Sequence, residues 1–399
     1  MTADNQSSTH PLLPPTSEDI RFDWLRLLRS RRVGISTFYR LMAAHGSAAA
    51  ALAALPDIAA AAGVSGYEIC PEGVVAAELK AGRQARARLL CRGDPDYPAA
   101  LLDLEDAPPL LWAIGDASVA SRPMVALVGA RNASSLGLRM AKALARGLGE
   151  AGCIVVSGLA RGIDAAAHGA SLGTGTLAVM GGGVDVLYPS ENSRLAEDIV
   201  HAGGLRLSEQ PMGLAPQARH FPARNRLISG LAQAVVVVEA APKSGSLITA
   251  RCALDQGREV LAVPGHPFDS RAAGCNMLLR DGARLVRNAE DVLESLPDRA
   301  PAATGTQPAL DLPPPASVAP VRTGQPVPNA QPARDRRSPA ETFDLHRQIL
   351  ARLGPSPLAE DQLIRDIAAA PEQLGSALVD LELEGRIARQ PGGLLAKLS

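Results

Sequence analysis

The sequence predicts an α/β domain built on a mostly parallel sheet, flanked by two smaller and largely helical units. Three observations carry that prediction. Six short apolar runs recur at Met124–Val128, Ile154–Val156, Thr176–Met180, Leu205–Ser208, Ala234–Val238 and Glu259–Val263. Helix-periodic stretches separate them, such as Leu136, Met140, Leu144 and Leu148 at four-residue spacing. Strands alternating with helices pair in parallel through crossover connections. The run Val235-Val236-Val237-Val238 shows no polar alternation, as expected of a central strand buried on both faces.

The chain has 399 residues, enough for two or three domains. Forty Lys and Arg against 41 Asp and Glu leave a net charge of −1, so no overall basic field attracts a polyanion. Any such site must be a local patch. The five cysteines are scattered without a Cys-x-x-Cys pair, which indicates neither a zinc site nor a disulfide framework. Reduced thiols fit a cytoplasmic protein best. No apolar run approaches membrane-spanning length, so no membrane insertion is expected. The first residues lack the basic-then-apolar order of a signal peptide, and residues 1–17 read as a polar tail.

Residues 18–90 are helical in pattern: Trp24, Leu27 and Leu28 recur at helix spacing, Gly34 is placed to end one helix, and Ser36 or Thr37 to cap the next. Ala48 to Ala62 is a helical stretch interrupted by Pro56. The unit has a helix–hairpin–helix character, which serves packing more often than DNA backbone binding. Residues 91–122 read as a connector, with turn chemistry at Arg92–Pro98 and an extended piece from Ala107 to Trp112. The sheet domain is then residues 123–296. Residues 297–339 are rich in proline and alanine and nearly free of large apolar residues, which makes them an extended linker. In residues 340–399, three helices and a hairpin turning at Pro391-Gly392-Gly393 predict a winged helix. Its presumed recognition helix carries Glu372, Asp380, Glu382 and Glu384 without Lys or Arg. Acidic side chains repel phosphate, so a protein-contact role is expected there.

In open parallel sheets, ligands sit beyond the carboxyl ends of the strands. The first predicted strand ends in Gly129-Ala130-Arg131-Asn132, followed by Ser134 and Ser135 at the start of a helix. Such a helix start favours an anion. The second ends in Ser157-Gly158-Leu159-Ala160-Arg161-Gly162-Ile163-Asp164, with His168 a turn beyond. That His/Asp spacing suits an acid–base couple, but more often a helix-facing hydrogen bond. The third is followed by Gly181-Gly182-Gly183, and the fifth by Lys243-Ser244-Gly245-Ser246 opening a helix. Strand ends thus present glycine and serine amides together with Arg131, Arg161 and Lys243.

Between the fourth and fifth strands lies His220-Phe221-Pro222-Ala223-Arg224-Asn225-Arg226, in a stretch from Gln210 to Val238 without any carboxylate. Pro222 predicts a defined corner rather than a regular element. Arg224, Arg226 and Arg219 suit phosphate oxygens, and Phe221 suits a base face. A corner of this kind serves equally to satisfy buried carbonyls and carboxylates. Arg226, leading toward a strand, is the member best placed to anchor the fold.

Enzyme signatures are missing. There is no second or third glycine of a dinucleotide fingerprint, no Gly-x-x-x-x-Gly-Lys-Ser/Thr loop and no Gly-x-Ser-x-Gly elbow. The Lys243–Thr249 turn is similar to that of cytokinin-activating phosphoribohydrolases, but Ala250 and Arg251 stand where their catalytic glutamate would.

Taken in order, these motifs resemble the DNA processing protein A (DprA/Smf) family. The resemblance rests on Val128–Arg131, Val156–Asp164, Gly181–Pro189, Ser208–Pro211, Phe221–Arg226, Ser244–Ala250 and Val263–Gly265, and spans residues 18–294. It implies a sterile-alpha-motif-like helical domain, an extended Rossmann-like domain and a C-terminal winged helix. It implies a non-enzymatic protein without cofactor or metal that binds incoming single-stranded DNA irrespective of sequence in natural transformation. It also implies a homodimer that protects the strand and helps load RecA for homologous recombination. By motif position the contacts are Arg131, Phe221, Arg224 and Asn225, with amides at Gly129, Gly158 and Gly245. Adding the neighbouring strand-end residues, the expected DNA-binding set also includes Arg161, Arg219, Arg226, Lys243, Ser244 and Ser246. A nucleotide-hydrolysing enzyme using the same cradle is the rival expectation. Two departures stand out: Ala130 replaces a hydroxyl residue, and Ala218 replaces a common lysine that Arg219 is placed to substitute.

Overall fold

A computed structural model of the chain describes residues 14–296, together with 349–350, 358–359, 377–378, 381, 386–390 and 394–397. Two units are present, Met1–Thr306 and Gln307–Ser399.

The first unit opens with helices α1 (Glu18–Arg29), α2 (Ile35–His45), α3 (Ala48–Ala61) and α4 (Glu72–Gln84). Ser17 and Ser47 cap α1 and α3 by accepting amide protons. Gly34 is the N-cap of α2, so Ser36 and Thr37 fall inside that helix rather than before it. Helix α3 runs through Pro56 without a break. The missing amide bond is offset by burial of Ala51, Leu52, Leu55 and Ala59 along one side.

The sheet holds nine strands among the described residues. They are β1 (Arg88–Cys91), β2 (Leu110–Gly115), β3 (Met124–Gly129), β4 (Ile154–Ser157), β5 (Thr176–Val179), β6 (Leu205–Ser208), β7 (Ala234–Glu239), β8 (Glu259–Ala262) and β9 (Arg284–Leu285). Their order is β1-β2-β6-β5-β4-β3-β7-β8-β9. From β6 to β9 every pair is parallel, whereas β1 and β2 join antiparallel at one edge. The segment expected as a connector therefore supplies β2, and β1 straddles its start, so the sheet begins at Arg88, inside the stretch expected to belong to the helical domain. Helices α5 (Ser135–Glu150), α6 (Ile163–Ser171), α7 (Ser193–His201), α8 (His220–Leu231), α9 (Ser246–Asp255), α10 (Ala273–Arg280) and α11 (Ala289–Leu293) cover the faces. The valine run divides as the pleat requires: Val235 and Val237 join one core, Val236 and Val238 the other.

Two strand successions diverge from the middle of this sheet. From β3 the chain steps outward through β4, β5 and β6, then returns to β7 on the other side of β3 and steps through β8 and β9. The crevice beyond the ends of β3 and β7 is thus the topological switch point, where open sheets accept ligands.

Helices α1 to α4 do not form a separate core. Trp24, Phe38 and Leu52 share one apolar cluster with Trp112, Ile114 and Ala178 of the sheet. The Trp112 indole N–H donates to Glu78 at 2.8 Å, and Arg29 grips the same carboxylate with two bonds of 2.8 and 2.9 Å. Gly82 leaves the notch that the indole ring fills.

In the second unit, β10 (Leu358–Ala359), β11 (Ile387–Gln390) and β12 (Leu394–Lys397) form an antiparallel sheet in the order β10-β12-β11. The expected hairpin is present as β11 and β12. The expected linker at residues 297–339 and the acidic residues Glu372, Asp380, Glu382 and Glu384 of the expected recognition helix lie outside the described residues. Among the described residues no single helix is long and apolar enough to cross a membrane.

Candidate nucleic-acid interface

The switch-point crevice is a cavity of about 650 Å³. Gly129 to Asn132 at the end of β3, Ala241 and Lys243 to Ser246 after β7, and Phe221, Pro222, Arg224 and Asn225 of α8 line it. The expected corner at Pro222 is instead the first turn of α8. Proline is tolerated there because its missing amide would have no helical partner. Arg219 is the N-cap residue, exposed and within 3.4 Å of the His220 ring.

Phe221 is the hub. The Arg131 guanidinium lies over its ring at 5.2 Å and that of Arg224 at 5.9 Å, while the Tyr188 ring packs at 5.8 Å. Both guanidinium contacts are cation–π geometry. A second cavity of about 360 Å³ opens beyond the hub, lined by Arg131, Arg161, Tyr188, Glu191 and Phe221. Arg161 pairs there with Glu191 at 3.6 Å.

The two arginines of α8, Arg224 buried and Arg226 half-buried, face different tasks. Arg224 is only 5% exposed, and its Nη1 donates to the Gly158 and Val179 carbonyls, both at 2.6 Å. It pins together the ends of β4 and β5, and burial lowers its pKa to about 10, which leaves it charged at neutral pH. A methyl at Gly158 would overlap this guanidinium, and the Gly158 N–H itself donates to Asp164 at 3.1 Å. Gly158 therefore serves as the space for Arg224 rather than as a free amide. Next to it Leu159 takes a left-handed φ of 56°, held by Asn192 at its carbonyl. Arg226 turns away to Glu209 and to Asp106 at 3.2 Å, outside the cavity, as a fold anchor.

On the other wall, Lys243 is exposed, the Ser244 and Ser246 hydroxyls contact at 2.7 Å, and Asn225 Nδ2 donates to the Gly245 carbonyl at 3.4 Å. Arg271 also reaches the cavity, from the loop after β8. Neither Arg271 nor Tyr188 was singled out as a contact from the sequence, although both follow strand ends. The start of α5, expected to favour an external anion, already holds one. The Glu239 carboxylate accepts from the Ser134 amide at 2.9 Å and from its hydroxyl, in space left by Gly137.

The Asp164/His168 pair does not act as a couple. Asp164 accepts from the Gly158 and Ala160 amides, and burial raises its pKa. His168 Nδ1 lies 2.7 Å from Thr176 Oγ1, whose own proton goes to the Val155 carbonyl. Nδ1 is therefore the protonated nitrogen, and the buried Nε2 meets no hydrogen-bond partner among the described residues. Burial lowers the His168 pKa to about 3, below its unfolded value of 6.5. The unfolded chain takes up this proton first as pH falls through 6.5, so the fold loses stability down to about pH 3. Urea unfolding of wild type against His168→Gln at pH 7 and pH 5 should show about 2 kcal/mol of acid sensitivity that the variant lacks. Equal pH dependence in both would rule out a neutral His168.

Fold and cleft together define a class: an open-sheet α/β protein of Rossmann-like topology with a cationic switch-point cleft, an N-terminal helical domain and a C-terminal winged helix. Residues 88–297 match the family model of DNA recombination-mediator protein A. Residues 18–81 match the DprA-like N-terminal HHH domain, and residues 331–393 the DprA winged helix domain. The chain belongs to the DNA recombination-mediator protein A family, also called DprA/Smf. It is 35% identical to Protein Smf of Synechocystis sp. over 79% of this chain and 81% of that protein. It is 46% identical to DNA processing protein DprA of Streptococcus pneumoniae over 50% of this chain and 71% of that protein. The crystal structure of DNA processing protein A from S. pneumoniae superposes with a TM-score of 0.53 at 39% identity, covering 61% of this chain and 87% of that one.

Proposed function

We propose that the switch-point cleft binds single-stranded DNA irrespective of sequence, as a binding protein rather than an enzyme. The observation that carries this reading is Phe221, held under Arg131 at the centre of a cleft whose rim bears Lys243 and Arg271. Cations and exposed amides hold phosphates without reading sequence, and an aromatic face stacks on any base. Asp164, the carboxylate in the lining, is buried and engaged by two amides, which favours binding over hydrolysis. The family's designation as recombination mediator supports the finer part: a cytoplasmic homodimer that protects incoming DNA and hands it to RecA in transformation.

Fluorescence anisotropy with single- and double-stranded oligonucleotides tests the binding. Phe221→Ala should weaken single-strand binding by about 1–3 kcal/mol, the worth of one stacked base. Arg131→Ala should flatten the log–log salt slope by about 0.7. Folded variants that bind like wild type would place the site elsewhere. Release of base or phosphate from nucleoside monophosphates would favour the enzymatic rival. RecA nucleation on a coated strand, with and without the chain, tests the handover, and sedimentation velocity tests the dimer.

A further inference from the structure

Arg131 lines more than the cleft. On its far side opens a groove of about 670 Å³ along the flank of the sheet, between α5 and α6. One wall is the face of α5 that presents Leu138, Lys142 and Arg146, one per turn. The other is α6, with Ala165, Ala166, Gly169 and Ala170, whose short side chains leave the floor without bulk. No carboxylate lines this groove; the next one along that face of α5 is Glu150, a turn past Arg146. Lys142 and Arg146 are exposed, and neither is in an ion pair among the described residues. Some other exposed cations, such as Arg88 and Arg287, are paired with Asp96 and Asp291, whereas Arg139, on α5 beside this row, is likewise exposed and in no ion pair among the described residues.

We propose that this groove carries the continuation of the strand held in the cleft, its phosphates passing from Arg131 to Lys142 and Arg146. The proposal rests on the cleft binding a single strand. Because α5 starts at the strand-end edge, Lys142 and Arg146 lie about 10 and 16 Å along it. At a minimum of about 3.4 Å per nucleotide, the row takes up to about five nucleotides beyond those in the cleft. The exposed row has no base-stacking ring, so this segment is held by its backbone, and its bases face solvent.

The test compares two oligothymidylates on the full chain, one spanning only the cleft and one about five nucleotides longer. In wild type the longer should bind more tightly, with a steeper salt slope. The Lys142→Glu/Arg146→Glu variant should keep short-oligonucleotide affinity within about twofold and lose the gain from length. The corresponding alanine pair should flatten the long-oligonucleotide slope by about 0.7 for each contact removed. Both side chains are exposed, and unchanged circular dichroism and melting temperature establish that the variants are folded. Folded variants that retain the full gain and slope overturn the groove while leaving the cleft standing. A wild type that binds neither oligonucleotide overturns the reading of the cleft, and the groove with it.

Discussion

Arg224→Ala is expected to destabilise the first unit by about 3–5 kcal/mol, the range for breaking a buried charged contact from one side. Two carbonyls at the ends of β4 and β5 lose their donor, and Asp164 loses the nearest compensating charge. A guanidinium-shaped void remains against Gly158. Arg224→Lys should recover part of the loss, because an ammonium on a shorter arm does not reach the place where Nη1 meets both oxygens. Urea unfolding with an unchanged slope and a lower midpoint would read this directly. Unchanged stability with abolished oligonucleotide binding would refute the pin and make Arg224 a direct ligand contact.

The second large effect concerns the seam between helices and sheet. Trp112→Ala should cost about 3–5 kcal/mol, since the indole is 2% exposed and fills the notch at Gly82. Trp112→Phe keeps most of the burial and removes only the bond to Glu78, at about 1–3 kcal/mol. That variant has a further use, because Trp24 becomes the sole tryptophan. Its fluorescence then reports the N-terminal helices while circular dichroism reports the whole unit. The shared cluster of Trp24, Phe38, Trp112 and Ile114 predicts coincident transitions. Separate transitions would show that the helices melt on their own.

Much of this architecture was legible in the chain. Parallel strands buried on both faces leave continuous apolar runs, and all six expected runs are strands. The switch-point lining was legible because short-side-chain turns follow these runs directly. What escaped was set by distant partners. Strands β1 and β2 lie among turn and proline signals, and their place at the edge depends on β2 pairing with β6 and β1 with β2. The proline at 222 marks a break in most contexts, and only its position in a first turn makes it helical. Arg226 was legible as an anchor, but Arg224 is the same residue type two positions earlier, and composition does not separate a buried pin from a phosphate contact. The filling of the α5 start by Glu239 bridges 105 positions of sequence, beyond any local pattern.

That internal carboxylate also constrains how this scaffold can change. Ser134, Gly137 and Glu239 form an interlocked trio: two offer bonds or room to the third, and each alone is a poor fit without the others. A lineage drifting toward mononucleotide chemistry would need to vacate the helix start and refill it in one concerted exchange. Single substitutions at these positions are therefore expected to be strongly epistatic, and the trio keeps the helix start closed to an external anion.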